Sequence, residues 1–307
     1  MSNTLDRSRL QRTIVVTNGK GGVGKTSSTS HLVTLLALAG YKCLGVDLDP
    51  QGDLGDDLGY NARGLSDNGL GLLRAVSSGS PAEPLRNVRP NLDVLPGGEH
   101  LVELAAALDS RRRRVGDEAM LALGQTLANA ADTEGYDFIL IDTPPGEAVL
   151  QEAALVAAKW VVIPYKSDTS SRRGLREVAR RFEFAWKLNP DLALLGVYLF
   201  GVNKSATRVR DRAQTGIRED LGENAPVLNA TIQHLEAPAT DVRDRGQLAH
   251  ELERDVNDGP PWYERLRSGA TTEVPASTAG TLAEDYRRLA EELFQRMAAA
   301  ESKGVQA

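Results

Sequence analysis

Short apolar runs alternate with longer stretches of mixed apolar and polar positions over the first two-thirds of the chain. The run Thr13-Ile-Val-Val-Thr17, β-branched and bounded by Asn18-Gly19, predicts a buried strand. A Gly-rich turn follows, then residues 26–39 have helical composition and stop at Gly40. Further strands are predicted at Cys43-Leu-Gly-Val46, Leu92-Asp-Val-Leu-Pro96, Phe138-Ile-Leu-Ile141, residues 160–164 and residues 194–202. Helices are predicted at 99–108, 117–133, 147–158, 170–188 and 281–300. Residues 53–90 are rich in Gly, Asp, Ser and Pro, with one short helical segment at 72–76.

Strands that alternate with helices of about 10 to 15 residues imply βαβ units and a parallel sheet covered on both faces. Right-handed crossovers then make a doubly wound, mostly parallel α/β fold the natural choice. The spacing predicts a single domain over 13–300, with a flexible arm at 1–12 and a flexible tail at 301–307. The Pro-, Gly-, Ser- and Thr-rich residues 255–278 read as an inserted loop.

Composition narrows the compartment. The chain has 307 residues, and no run of about 18 apolar residues that would span a membrane. The polar start, Met1 to Arg12, lacks the apolar stretch of a secretory signal. Cys43 is the single cysteine, so no intramolecular disulfide can form, and a cytoplasmic location is expected.

Chemistry enters at the turn after the first strand. Gly19-Lys-Gly-Gly-Val-Gly-Lys-Thr26 satisfies G-x-x-x-x-G-K-[ST] in the strand–turn–helix context that a phosphate-binding loop requires. Gly19, Gly21, Gly22, Val23, Gly24 and Ser27 supply backbone around phosphate oxygens, and the helix N-terminus adds a favourable field for the anion. Lys25 is expected to reach the β- and γ-phosphates and the Thr26 hydroxyl to ligate Mg²⁺, making ATP the expected substrate. Two acidic strand ends complete the set. Asp142 stands where a Walker B carboxylate holds Mg²⁺, while Asp47 and Asp49 end the second strand.

The loop carries a second lysine, Lys20. K-G-G-x-G-K-[ST] resembles the deviant Walker A motif of the ParA/MinD family of ATPases, and Asp47-Leu-Asp-Pro-Gln-Gly52 resembles the D-x-D-P-Q-G segment of the ParA branch. The resemblance runs from about Thr13 to Met297 and takes in Gly280-Thr-Leu-Ala-Glu-Asp-Tyr-Arg-Arg-Leu as the family's closing helix. It implies an ATP-sandwiched homodimer in which Lys20 touches the partner's nucleotide. It also implies that Asp49 orients or deprotonates the attacking water, that Asp47 lies near the metal, and that Asn203 contacts adenine. One departure is Ile232-Gln-His-Leu235, where relatives carry Ile-Pro-Arg-Asn, so base contacts around 232–238 stay open.

Net charge is −6, yet it is segregated. Residues 172–187 hold six bases and two acids, and residues 204–218 five bases and one acid, a local +4 in each. Residues 219–264 reverse this, with eleven acids and three bases. From these two basic stretches, Arg172, Arg173, Arg208, Arg210 and Arg212 are the expected contacts to non-specific duplex DNA, and the resemblance implies a nucleoid-associated DNA-segregation role and a ParB-like centromere-binding partner. The rival readings are a MinD-like ATPase on a membrane and a pole-localising ATPase on a protein surface. The membrane reading needs a basic amphipathic C-terminal helix, but residues 281–300 hold four acids and three bases. An iron–sulfur carrier would need at least a pair of cysteines.

Overall fold

The computed structural model describes residues 5–258 and 275–304. Eight strands lie in one sheet: β1 (Thr13–Val16), β2 (Cys43–Asp47), β3 (Leu85–Arg89), β4 (Leu92–Leu95), β5 (Phe138–Asp142), β6 (Trp160–Tyr165), β7 (Ala193–Phe200) and β8 (Val227–Ile232). Their order is β3-β4-β2-β5-β1-β6-β7-β8, parallel throughout except for β3 against β4. The expected doubly wound α/β fold is therefore observed.

Around the sheet run α1 (Lys25–Leu38), α2 (Leu54–Asp57), α3 (Leu70–Ser78), α4 (His100–Val115), α5 (Leu121–Glu134), α6 (Ala148–Ala157) and α7 (Thr169–Leu188). They are followed by α8 (Thr207–Leu221), α9 (Glu236–Arg245), α10 (Ala249–Asp258) and α11 (Ala279–Gly304). Alternation along each central strand divides the core into two layers. Val15, Ile139, Ile141, Val161 and Ile163 face α3 to α8, whereas Ile14, Leu140 and Val162 face α1, α2 and α9 to α11. Because β1 and β5 are buried on both faces, they read as unbroken apolar runs.

Four helices and strands after β7 (α8, β8, α9, α10) and the edge strand β3 have no counterpart among the expected elements. β3 is Leu-Arg-Asn-Val-Arg with mostly exposed or half-exposed side chains and a positive φ at Asn87, and so lacks a strand signature. Charged side chains lie along both sheet edges. At β3, Arg86 donates to Glu134 at 2.7 Å and Arg89 to Glu251 at 2.7 Å. At β8, the backbone N–H groups of Asn229 and Ala230 donate to Glu292 of α11 at 2.9 and 2.8 Å.

The termini correct two expectations. Arg7 donates to the carbonyls of Val156 and Leu188 at 2.8 and 3.1 Å, and Leu10 is buried, so residues 5–12 pack on the body instead of forming a free arm. Residues 301–304 continue α11, with Glu301 accepting two hydrogen bonds from Arg12 at 3.0 Å. The inserted loop expected at 255–278 lies mostly outside the described residues; 255–258 belong to α10.

Candidate functional site

The phosphate loop spans the end of β1 and the start of α1. Asn18, fully buried, sets its path: its amide donates to the Pro164 carbonyl at 2.7 Å and its oxygen accepts the Lys20 N–H at 2.9 Å. Gly24 has φ +83°, and a Cβ there would lie 2.1 Å from the Phe200 ring, so glycine is required on both counts. Helix α1 then starts with no side-chain cap, leaving its first N–H groups for an anion.

Lys25 is buried and its Nζ donates to the Lys20 carbonyl at 3.0 Å. Burial pulls its pKa down, while Asp142 and Asp49 push it back up. The Thr26 hydroxyl donates to Asp142 Oδ2 at 2.7 Å. Asp47 and Asp142 sit opposite one another in the β2–β5 register, both fully buried. Burial raises the Asp142 carboxyl to about 7, against the Thr26 hydrogen bond and the Lys25 charge. Burial and then the Asp142 charge raise Asp47 well above its ordinary value.

Asp47 accepts the N–H groups of Asp49 at 2.8 Å and Leu54 at 3.3 Å, but Asp142 Oδ1 has no hydrogen-bond partner among the described residues. A hydroxyl, an orphaned carboxylate oxygen and a second carboxylate at one spot form the oxygen donor set that a hard divalent cation takes. Asp49 lies two residues beyond β2 and is buried, with Oδ1 accepting the Gln51 N–H at 3.0 Å, and burial raises its pKa. The loop after β4 closes against this pair: Gly98 donates to the Asp49 carbonyl at 3.1 Å, and a Cβ on Gly97 would lie 2.6 Å from Asp47 Cγ.

Lys20 is held within the chain by an ion pair with Asp168, whose Oδ1 also accepts the N–H and hydroxyl of Ser171 at 3.0 Å. Helix α7 thereby starts beside the loop lysine. It lies close enough that a Cβ on Gly174 would be 2.5 Å from Asn18 Oδ1.

A cavity of about 370 Å³ continues from Gly22, Gly24 and Ser27 toward the ends of β7 and β8. Its walls include Phe200, Gln233, His234, Leu235 and Tyr286. His31, also on the wall, is fully buried and stacks on Tyr286 at 3.8 Å. Its Nδ1 donates to the Ser27 carbonyl at 2.6 Å and its Nε2 accepts the Ala249 N–H at 3.1 Å. Asn203, the expected adenine contact, is exposed and lies outside the lining; its carbonyl accepts the Ala206 N–H at 3.0 Å. Of the segment left open by the sequence, 232–238, residues 232–236 line the cavity. A larger cleft of about 520 Å³, between the C-terminal ends of α1 and α11, holds none of these groups.

The two basic stretches form the adjacent helices α7 and α8. Arg172 is committed to the neighbouring helix, with bonds to both Asp220 oxygens at 2.8 and 2.9 Å and a Glu219 contact at 3.0 Å. Arg173, Arg208 and Arg212 are exposed and Arg210 is half-buried, with no carboxylate partner among the described residues.

The doubly wound sheet, the loop with two lysines and the paired strand-end carboxylates define a P-loop ATPase with the deviant Walker A site. A family model described as an AAA domain matches residues 11–194. The chain is 33% identical over 232 residues to the chromosome-partitioning ATPase Soj of Thermus thermophilus, covering 74% of this chain and 85% of Soj. It is 30% identical over 236 residues to the chromosome partitioning protein ParA of Caulobacter vibrioides, covering 74% and 84%. The solved structure of cobyrinic acid a,c-diamide synthase from Mycobacterium smegmatis with ADP and magnesium superposes with a TM-score of 0.61, at 25% identity over 86% of this chain and 99% of that one. The chain belongs to the Soj/ParA family of partition ATPases.

Proposed function

We propose that this ATPase segregates DNA: it dimerises around ATP and Mg²⁺, binds duplex DNA without sequence preference in that state, and hydrolyses ATP when a ParB-like centromere-binding partner engages it. The observation that carries the reading is Lys20 in the deviant loop, set directly beside the first turn of the basic helix α7. Release of Lys20 from Asp168 frees the ammonium to reach a second nucleotide across a dimer axis.

Thr26, Asp142 and Asp47 would hold Mg²⁺, which would supply positive charge against the phosphates. Lys25 and the first N–H groups of α1 bind and orient the phosphate chain. Asp49, fixed by its turn with Gln51, aligns water for attack. The cavity beyond Gly24 takes the nucleoside. Arg173, Arg208, Arg210 and Arg212 offer cations to phosphates of the duplex, and two-fold symmetry doubles them, so affinity follows nucleotide state.

The test is duplex binding by wild type and by Arg208→Ala/Arg210→Ala, with ATP and with ADP, together with sedimentation. Wild type with ATP should dimerise and bind DNA with a log–log salt slope of about −0.9 per phosphate contact, whatever the sequence. The double variant should dimerise and lose the DNA. A wild-type ATP dimer without DNA affinity at low salt would sink the DNA reading and favour a protein surface as the ATPase's track.

A further inference from the structure

The carboxylate of Asp285, on α11, is fully buried and joins the loop after β7 to the loop after β8, of which the second lines the cavity. Its Oδ2 accepts two hydrogen bonds from Gln233, from the backbone N–H at 3.0 Å and from the side-chain Nε2 at 3.1 Å. Its Oδ1 faces the Lys204 ammonium at 2.7 Å, on the loop that follows β7. Gln233 follows β8 directly and lines the cavity. Both contacts bridge long sequence separations, and Asp285 comes from a third element.

A carboxylate offers only acceptors, so the Gln233 amide can meet it only through its NH₂ end. The carbonyl oxygen, Oε1, is thereby left with no hydrogen-bond partner among the described residues, on a side chain that borders the cavity. Without Asp285 the amide could flip at little cost, because its two ends are nearly the same shape. With Asp285 in place, the amide cannot turn its NH₂ end away from α11, so the end left unengaged on this cavity-lining side chain is the acceptor.

We propose that Gln233, oriented by Asp285, is the residue through which this ATPase tells adenine from guanine. The exocyclic amine of adenine donates to Gln233 Oε1, whereas the 6-carbonyl of guanine would oppose it oxygen to oxygen. Asp285 is a positioning residue that acts through Gln233. The inference rests on the cavity being the nucleoside subsite.

Equilibrium binding of ATP and GTP with Mg²⁺, measured by calorimetry, tests it without any turnover. Wild type should prefer ATP by about tenfold or more, the value of one net hydrogen bond made in one case and opposed in the other. Gln233→Ala should lose most of that ratio through weaker ATP binding. Asp285→Asn, which can donate as well as accept, should lose it through stronger GTP binding. Lys204→Gln, which leaves the Gln233 contacts alone, should keep it. If Asp285→Asn does not fold, Gln233→Ala, a half-buried loop position, carries the test. Equal affinity of wild type for both nucleotides, or a ratio unchanged in Gln233→Ala, overturns the proposal. Tight ATP binding with no ratio would leave the ATPase reading intact, whereas binding of neither nucleotide would remove both.

Discussion

The phosphate-facing half of the site draws on β1, β2 and β5, three strand ends that lie side by side in the sheet, with the metal-facing groups Thr26 and Asp142 joined directly. The cavity half is assembled from the ends of β7 and β8, helix α9 and helix α11, and is held by contacts between residues far apart in sequence: Lys204 to Asp285, Gln233 to Asp285, and His31 to Tyr286. In the first half, function is written into short motifs because bare backbone does the binding and needs glycines at fixed steps. In the second, the walls are side chains from distant elements, and each could be replaced by another residue that meets the same partner. The two halves meet at Gly24 against Phe200.

The largest expected effect tests the first half alone. Lys25→Ala should weaken ATP binding by on the order of a hundredfold, since it removes a buried cation aimed at the phosphates. Asp49→Ala should instead bind ATP as wild type does and lose turnover. Nucleotide titration with a parallel phosphate-release assay separates them, and an Asp49→Ala variant hydrolysing at the wild-type rate would refute its assigned role.

A smaller effect is expected at the junction. Gly24→Ala should cost about 2 kcal/mol, because the left-handed backbone disfavours a Cβ and the Phe200 ring must move. If the halves are independent, only phosphate binding should suffer. If they are joined through Phe200, as the packing implies, ATP should lose more affinity than inorganic triphosphate does. Competition binding with both ligands decides between these.

The smallest effect comes from pH. Burial holds the His31 imidazole down at about 3, from an ordinary value of about 6.5. As pH falls through that window the unfolded chain takes up a proton that the folded one refuses, so stability is lost; at pH 5 this amounts to about 2 kcal/mol. Asp57, raised to about 6 by burial, works the other way, since the folded form holds its proton first. It returns about 1 kcal/mol at pH 5. The buried Asp47 and Asp142 carboxyls, also raised, work in the same direction as Asp57, so the assignment is read from differences between variants. From pH 7 to pH 5, His31→Asn should lose less stability than wild type, or gain more, and Asp57→Asn should lose more. Identical pH slopes in wild type and His31→Asn would break the assignment.

The same contrast governs how much of the molecule is legible in its sequence. β1, β2, β5 and β6 are legible because they are buried on both faces, and the loop, Asp47, Asp49 and Asp142 are legible because each ends such a strand. The region after β7 is not. α8 exposes most of its surface and reads as charge, and β8 carries an exposed Asn229 in mid-strand. The cavity lining at 232–236 carries no motif of its own, because its side chains converge only once β8 is in place. Lys20 is legible as a signature, whereas its tie to Asp168 depends on the loop after β6 coming alongside. The charge pattern marks both basic helices but gives no hint that Arg172 is spent on Asp220.

The charged edges of the sheet set rules for how copies of this chain can meet. A row of free N–H and C=O groups on an outer strand is a template on which another molecule can crystallise strand by strand. Here the β3 edge carries arginines anchored to Glu134 and Glu251, and the β8 edge has two of its N–H groups already engaged by Glu292. Sheet-to-sheet growth, the route to irreversible fibres, is discouraged at both ends. Any meeting of copies is thereby confined to loops and helices, where contact surfaces are made of side chains and can be undone, instead of to a backbone ladder that would persist once formed.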